Sequence, residues 1–394
     1  MPRFSQEFDS PIPLHIMTIF RRIPQFSSFA FYYIKPKVFK KNILCAQLND
    51  PYRDPHGHNV FDLFSKDEIE KLRTDPNTYF LFDYTLEGTS YREFFNFYQM
   101  LSVYGSALDI PPNKIFFTSS NLLEESSYDQ WQKINSPGYR INVVSFSYWD
   151  FYVNDTDKNL SIDQTVANIK DKQHFLNFNR RVRPFRMASI YKIFTSTLFK
   201  NTLISFDRLD QQTLIDSLES LSIDYDIDLV KHLVDASPSI LDTDQFDSVL
   251  EFTFPDDTIN SGLIHIISET LCNSYNSTSL FYSEKTFKPI VYNCPIYILG
   301  QQNQNALLEK CYYKPYSKYF DFTADAIVNN GHRIQQQIDY LETVNAQLCA
   351  MTVNQKIEWY LQDIDTLVYN KQVLREQRYN REQAQKLLAC FGPW

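Results

Sequence analysis

The stretch 281-FYSEKTFKPIVYNCPIYILG-300 decides how the chain is to be read. It opens on a charged knot, Glu284-Lys285-Thr286-Phe287-Lys288, and runs into an apolar strand from Pro295 to Leu299, closed by Gly300. Just upstream lies 262-GLIHIISET-270, another strand-like run, which ends on Glu269. Strand, polar turn, helix and strand in that order make a parallel unit buried on both faces.

The same rhythm recurs on either side. In the first half, 79-YFLFDYTLEG-88 and 113-NKIFFTSSN-121 each read as a strand leading to a helix, and 140-RINVVSFSYWDFYV-153 reads as a further strand. After a polar interval at 154–173, strands are expected at 174–179 and 202–206, with a helix over 183–201 between them. Beyond Gly331 the spacing of Ile334, Ile338 and Leu341 is helical, as is that of Trp359, Ile364, Leu367 and Val368. The expected fold is α/β, with two Rossmann-like domains and a helical C-terminal tail. The expected division is an acceptor domain over 1–165, a donor domain over 166–340 and helices packing back over 341–394. A ligand is expected in the cleft between the two halves, at the carboxyl ends of the strands.

Composition narrows the function. The 394 residues carry a net charge of −9, which argues against a protein that coats nucleic acid. Residues 1–41 are the exception, with Arg3, Arg21, Arg22, Lys35, Lys37, Lys40 and Lys41 against Glu7 and Asp9. They read as solvated lysines around a strand and a helix, or as a peripheral contact with an anionic membrane. The six cysteines have no zinc spacing and read as reduced, buried thiols. No run approaches the roughly 18 apolar residues of a membrane span. No signal-peptide pattern is visible, so a cytoplasmic protein is expected.

There is no GxGxxG and no GxxxxGK[ST]. A nucleotide phosphate would then have to be held by side chains and helix N-termini. Two turns offer both. In 175-FLNFNRRVRPFRM-187, Asn179 ends a strand, and Arg180, Arg181, Arg183 and Arg186 surround the start of a helix. Cations there oppose the helix dipole, a conflict that an anion would resolve and that guanidinium forks suit. In the opening stretch Lys285 and Lys288 repeat the conflict, while Glu284 could accept both hydroxyls of a ribose. A solvated, acid-paired surface cluster is the alternative for each.

These residues resemble the donor half of GT-B glycosyltransferases, and the Ser-Glu-Lys segment resembles a fucosyltransferase-like signature. The likeness covers about 174–300. It implies Arg183 or Arg186 and Lys285 on a donor diphosphate, with Lys288 beside them, Asn179 in the same turn, Glu284 on the ribose and Glu269 near the donor sugar. The 15-residue interval from Glu269 to Glu284 departs from the family's spacing, so neither the sugar nor the stereochemistry follows.

A catalytic base is expected from the first half, where Glu87 or Asp83 follows a strand, with His56 and His58 as loop residues. The Asp-x-Asp triplets at Asp155/Asp157, Asp224/Asp226/Asp228 and Asp242/Asp244 do not follow convincing strands, so no metal and no cofactor is expected. The expected function is a metal-independent hexosyl- or deoxyhexosyltransferase that moves a sugar from a nucleoside-diphosphate sugar to a hydroxyl acceptor, a glycan or another hydroxyl compound. The alternatives are a DNA-modifying glycosyltransferase, with nucleic acid as acceptor, and a non-catalytic module that binds glycans or partners.

Overall fold

The computed structural model describes residues 20–22, 30, 41–48, 59–85, 97–135, 138–154, 161–179, 183–241, 256–272 and 279–391. The chain divides into two compact units. The first gathers Met1–Tyr148, Tyr275–Phe281 and Arg378–Trp394; the second gathers Trp149–Ser274 and Tyr282–Gln377. Both are mixed α/β structures built on largely parallel sheets, and the C-terminal region is helical.

In the first unit, strands β1 (Phe20–Arg22), β2 (Asn42–Leu48), β3 (Thr78–Tyr84), β4 (Ile115–Ser119) and β5 (Asn142–Ser145) lie in the order β1-β2-β3-β4-β5. Only β1 runs antiparallel to its neighbour. Strand β3 is buried along its whole length, which is why it reads as a continuous apolar run rather than an alternating one. Helix α1 (Lys66–Thr74) starts on a capping box between Ser65 and Glu68. Helices α2 (Phe97–Ala107) and α3 (Glu124–Asn135) follow β3 and β4. Much of the aromatic content is core here: Phe82 packs against Phe97 at 5.3 Å and Phe117 at 5.8 Å.

The run 140–153 is not one strand. Pairing stops at Ser145, and the chain turns into helix α4 (Tyr148–Asn154). Side chains take over from the ladder at that point. Ser120 Oγ accepts from Tyr148 N at 3.3 Å, and Asn380 Oδ1 accepts from Ser147 N at 2.8 Å. Helix α5 (Ile162–Ala167), with a Ser161–Gln164 capping box, occupies part of the polar interval that follows.

The second unit holds β6 (Gln173–Asn179), β7 (Thr202–Phe206), β8 (Gly262–Ser268) and β9 (Ile296–Leu299), all parallel, in the order β7-β6-β8-β9. The chain enters at β6, crosses to β7 on one side, and returns to lay β8 and β9 on the other. The topological switch point therefore lies between β6 and β8. Helix α6 (Pro184–Thr195) joins β6 to β7, and α7 (Gln211–Ser220), α8 (Ile227–Asp235) and the short α9 (Asp256–Ile259) precede β8. Helix α10 (Glu284–Val291) joins β8 to β9. The chain then becomes helical in α11 (Asn330–Ala350), α12 (Val353–Leu361), α13 (Ile364–Glu376) and α14 (Arg378–Cys390).

The observed division falls at Tyr148/Trp149, upstream of the expected 165/166, and only the last helix of the tail belongs to the first unit. Tertiary pairing accounts for that helix. Asn380 brackets Ser147, donating to its carbonyl at 2.8 Å, and the ring of Phe391 stacks on Phe116 at 4.5 Å. In the tyrosine-rich segment 311–322, Tyr313, Tyr316, Tyr319 and Phe320 are buried in irregular chain rather than in a strand, and Tyr319 packs on Trp359 at 5.1 Å. All six cysteines are free thiols. Cys45, Cys294 and Cys311 are buried, Cys272 is half-buried, and Cys349 and Cys390 are exposed, against the expectation of burial throughout. Among the described residues no helix is long and apolar enough to cross a membrane.

Candidate functional site

The switch point is bordered by Asn179 at the end of β6, and by Ser268 at the end of β8 with Glu269 and Thr270 behind it. Two helices begin there. The N-cap of α6 is Arg183, with Pro184 in the first position, where a missing N–H costs nothing. Arg186, one turn in, is buried. Its Nε donates to the Ser268 carbonyl at 3.2 Å and its Nη2 to Thr270 Oγ1 at 2.8 Å.

Helix α10 is capped by Ser283, whose Oγ accepts from Lys285 N at 3.4 Å. The cap is itself held by Glu269, which is 0% exposed. Oε1 of Glu269 accepts from Ser283 N at 2.9 Å and from Thr286 Oγ1 at 2.6 Å, and Oε2 accepts from Thr270 N at 3.0 Å. A carboxylate offers about four acceptor positions, so these three donors leave room for about one ligand hydroxyl.

Glu284 and Lys285 form an ion pair at 2.5 Å, with side chains only 13% and 16% exposed. Burial pushes the Glu284 carboxyl up. The charges of Lys285 and Lys288, the Lys285 hydrogen bond and the charge of Arg186 outweigh it, holding the group at about 2. The Lys285 ammonium is pushed below its ordinary value by burial and by the charge of Arg186. Arg186, Lys285 and Lys288 thus share the switch point with Glu269 and Glu284, beside helix N-termini that favour anions.

Lys285 and Lys288 also line a cavity of about 10 Å³ with Leu176, Phe178, His265 and Ile267, room for one water at most. On β6, Asn177 Nδ2 donates to the Ile266 carbonyl at 2.7 Å and to Ser268 Oγ at 3.2 Å, and Asn179 Nδ2 donates to Asn177 Oδ1. Oδ1 of Asn179, fully buried, has no hydrogen-bond partner among the described residues.

Asn179, Arg186, Glu269, Glu284, Lys285 and Lys288 therefore gather around the switch point. Arg183 stands half-buried at the adjoining N-cap, while Arg180 and Arg181 lie outside the described residues. Sequence reasoning missed Arg333, in the first turn of α11, which donates to the Gly300 carbonyl at 2.8 Å. Its one signal was a basic residue opposing a helix dipole.

In the first unit, the Asp83 carboxylate accepts from Thr85 N at 3.1 Å, Thr85 Oγ1 at 2.7 Å, Thr118 Oγ1 at 3.0 Å and Ala30 N at 3.4 Å. Glu87, His56 and His58 lie outside the described residues. One buried acid there was not anticipated. Glu124 accepts from Tyr98 Oη and from Ser119 Oγ, the latter at 2.7 Å. Burial raises its carboxyl to about 7, against the hydrogen bonds of Tyr98, Ser119 and Asn121.

Asp226 of the central triplet caps α8, accepting from Asp228 N at 2.8 Å. The other two triplets lie outside the described residues. Among the described residues no group of three or more His, Cys, Asp or Glu is placed to hold a metal.

Neither a family model nor a curated protein matches the chain. Among solved structures it is similar to one described as "Trehalose-6-phosphate from E. coli bound with UDP-2-fluoro glucose", at 12% identity and a TM-score of 0.43, over 93% of this chain and 77% of that one. A trehalose-6-phosphate synthase, OtsA, is similar at 11% identity and a TM-score of 0.39, over 86% of this chain and 81% of that one.

Proposed function

We propose that the chain is a glycosyltransferase of the GT-B kind, moving a sugar from a nucleoside-diphosphate sugar to a hydroxyl acceptor, a glycan, without an obligatory metal. The observation that carries this reading is the half-buried Glu284–Lys285 pair, set with the buried Arg186 and Glu269 at the switch point of a parallel sheet.

Each group has a role in it. Lys285, Lys288, Arg183 and Arg186 hold the diphosphate together with the N-terminus of α10. Glu284, kept ionised by its cationic neighbours, accepts the ribose hydroxyls. Asn179 Oδ1 and the remaining acceptor position of Glu269 are left to a hydroxyl or N–H of the donor. In the reaction, the acceptor oxygen bonds to the anomeric carbon as the bond from that carbon to the phosphate oxygen breaks. The departing diphosphate keeps the electron pair, where the fixed cations stabilise it. The acceptor proton passes to a carboxylate of the first unit. Glu87 is assigned that step, because the Asp83 oxygens are occupied by the chain's own donors. The order of Glu269, Ser-Glu-Lys, helix and strand supports kinship with fucosyltransferase-like donor sites, and the reaction is placed in the cytoplasm.

The test is a thermal-shift screen against UDP, GDP, CMP and dTDP with EDTA in every well, repeated on Lys285→Ala. One nucleotide should raise the melting temperature by several degrees in the wild type and not in the variant. A folded, monodisperse wild type that responds to none of them overturns the reading. Binding without transfer to any glycan would leave a glycan- or partner-binding module.

A further inference from the structure

We propose that His174 and Lys356 form a pH-operated latch, which fastens the start of helix α12 to the start of β6 near neutrality and releases it in acid. The latch sits at the amino end of β6, away from the end that carries Asn179.

His174, the second residue of β6, is 7% exposed. Its Nε2 faces Lys356 Nζ at 2.8 Å, and its Nδ1 faces Asn345 Oδ1 at 2.8 Å. An ammonium has donors and no acceptor, so Nε2 must accept and the ring proton must sit on Nδ1. The amide on the other side agrees. Asn345 Nδ2 donates to the Thr197 carbonyl at 3.3 Å, which leaves Oδ1 to accept from the ring and from Asn201 Nδ2 at 3.1 Å. Both neighbours thus fix one neutral tautomer, with Nε2 as the place where a second proton goes.

That place already faces a cation. Protonation of Nε2 takes away the acceptor of Lys356 and sets an imidazolium against an ammonium. The groups facing the ring are Asn345 and Cys349 of α11, Lys356 of α12 and the neighbouring Phe175, with Cys349 Sγ 4.0 Å from Nδ1. In register beside it come Asn201, just ahead of β7, and Leu263 of β8. Among these residues Lys356 alone is charged, and none is a carboxylate that would hold an imidazolium. Burial accordingly lowers the pKa of the ring from 6.5; the Asn345 hydrogen bond opposes this, and the charge of Lys356 lowers it further. The native chain thus binds the proton less tightly than the unfolded chain does. The latch contributes fully above about pH 6.5 and is lost as the pH falls through the lowered value.

The release is one-ended. Lys356 lies in the first half of α12, whereas the far end is held by Tyr360, which is 0% exposed. Tyr360 Oη donates to the Asn293 carbonyl at 2.9 Å, and the Tyr360 carbonyl accepts from Tyr319 Oη at 2.6 Å. Burial raises the pKa of both phenols, so neither bond titrates with His174. Acid therefore frees the first turns of α12 and leaves its end docked.

NMR of the imidazole nitrogens, followed by hydrogen exchange of the α12 amides, tests this in wild type, His174→Gln and Lys356→Met. Exchange is read about one pH unit on either side of the His174 midpoint and corrected for its intrinsic pH dependence. In the wild type, protection over the first turns should be about tenfold lower on the acid side, with the end of the helix unchanged. In both variants it should differ by less than about twofold. His174 should titrate below its ordinary value as the Nδ1–H tautomer, and should return towards that value in Lys356→Met. A ring that stays neutral down to acid unfolding overturns the proposal, as does an Nε2–H tautomer or equal wild-type protection on both sides. So does an acid loss that persists in either folded variant. If His174→Gln does not fold, Lys356→Met decides on the same readings.

Discussion

The carboxylate of Glu269, at the end of β8, accepts a 2.6 Å hydrogen bond from the hydroxyl of Thr286, in the first turn of α10, and a 2.9 Å bond from the Ser283 N–H that caps the same helix. One acid therefore fixes the direction in which Glu284 and Lys285 leave the sheet. Arg186 completes the frame through Thr270 Oγ1, so three chain segments that are distant in sequence share a single network. Such a network is worth more than its separate bonds, because losing one member leaves the others buried and unsatisfied.

Glu269→Ala should accordingly destabilise the fold, stranding Ser283 N, Thr286 Oγ1 and Thr270 N, at a cost of about 3 kcal/mol. Glu269→Gln keeps one acceptor oxygen and should cost less. Urea denaturation of both variants checks this. Equal stability of wild type and Glu269→Ala would mean that the carboxylate does not organise the helix start.

Much of this was legible in the sequence, for a physical reason. Parallel strands covered on both faces are mostly apolar, and 78–84, 262–268 and 296–299 are mostly apolar and buried along their whole length. Cations at Arg186 and Lys285 stood out because they contradict the helices they begin; Lys288, expected to do the same, lies in the last turn of α10, where a cation suits the dipole. The break at Ser145 was not legible, since Phe146, Tyr148 and Trp149 suit a strand as well as a helix. The docking of Arg378–Cys390 on the first unit depends on Asn380 meeting Ser147, residues 233 apart in sequence, which no local pattern announces. Arg333 was hidden because a single arginine at the polar start of a helix reads as solvated.

Glu124 makes the first unit sensitive to pH. Its folded carboxyl titrates at about 7, against 4.5 for the free side chain, and burial is the main cause. The native state thus binds its proton more tightly than the unfolded chain does. The contribution to stability is fully present below about pH 4.5 and is lost as the pH rises through about 7. The difference across that window is on the order of 3 kcal/mol. Glu124→Gln, which mimics the protonated acid, should flatten the stability profile over this range and gain on the wild type at pH 8. Urea midpoints measured from pH 4 to pH 8 compare the two. Parallel profiles would mean that Glu124 is not the group responsible.

Asp83 and Glu87 stand four residues apart in sequence, and the roles proposed for them separate cleanly in experiment. Asp83 is 1% exposed and takes bonds from Thr85 and Thr118, so it holds the end of β3 against β4. Asp83→Ala should lower unfolding stability by about 2 to 4 kcal/mol, because the hydroxyls it serves are buried with it. Glu87→Gln should leave stability where it is and lower turnover by about a hundredfold or more, the usual range for loss of a general base. The affinity for donor nucleotide should not change in Glu87→Gln, since the diphosphate is held by Lys285 and the arginines. Turnover retained in Glu87→Gln, with donor binding intact, would take the base away from that residue and return the assignment to Asp83 or to a group elsewhere in the first unit.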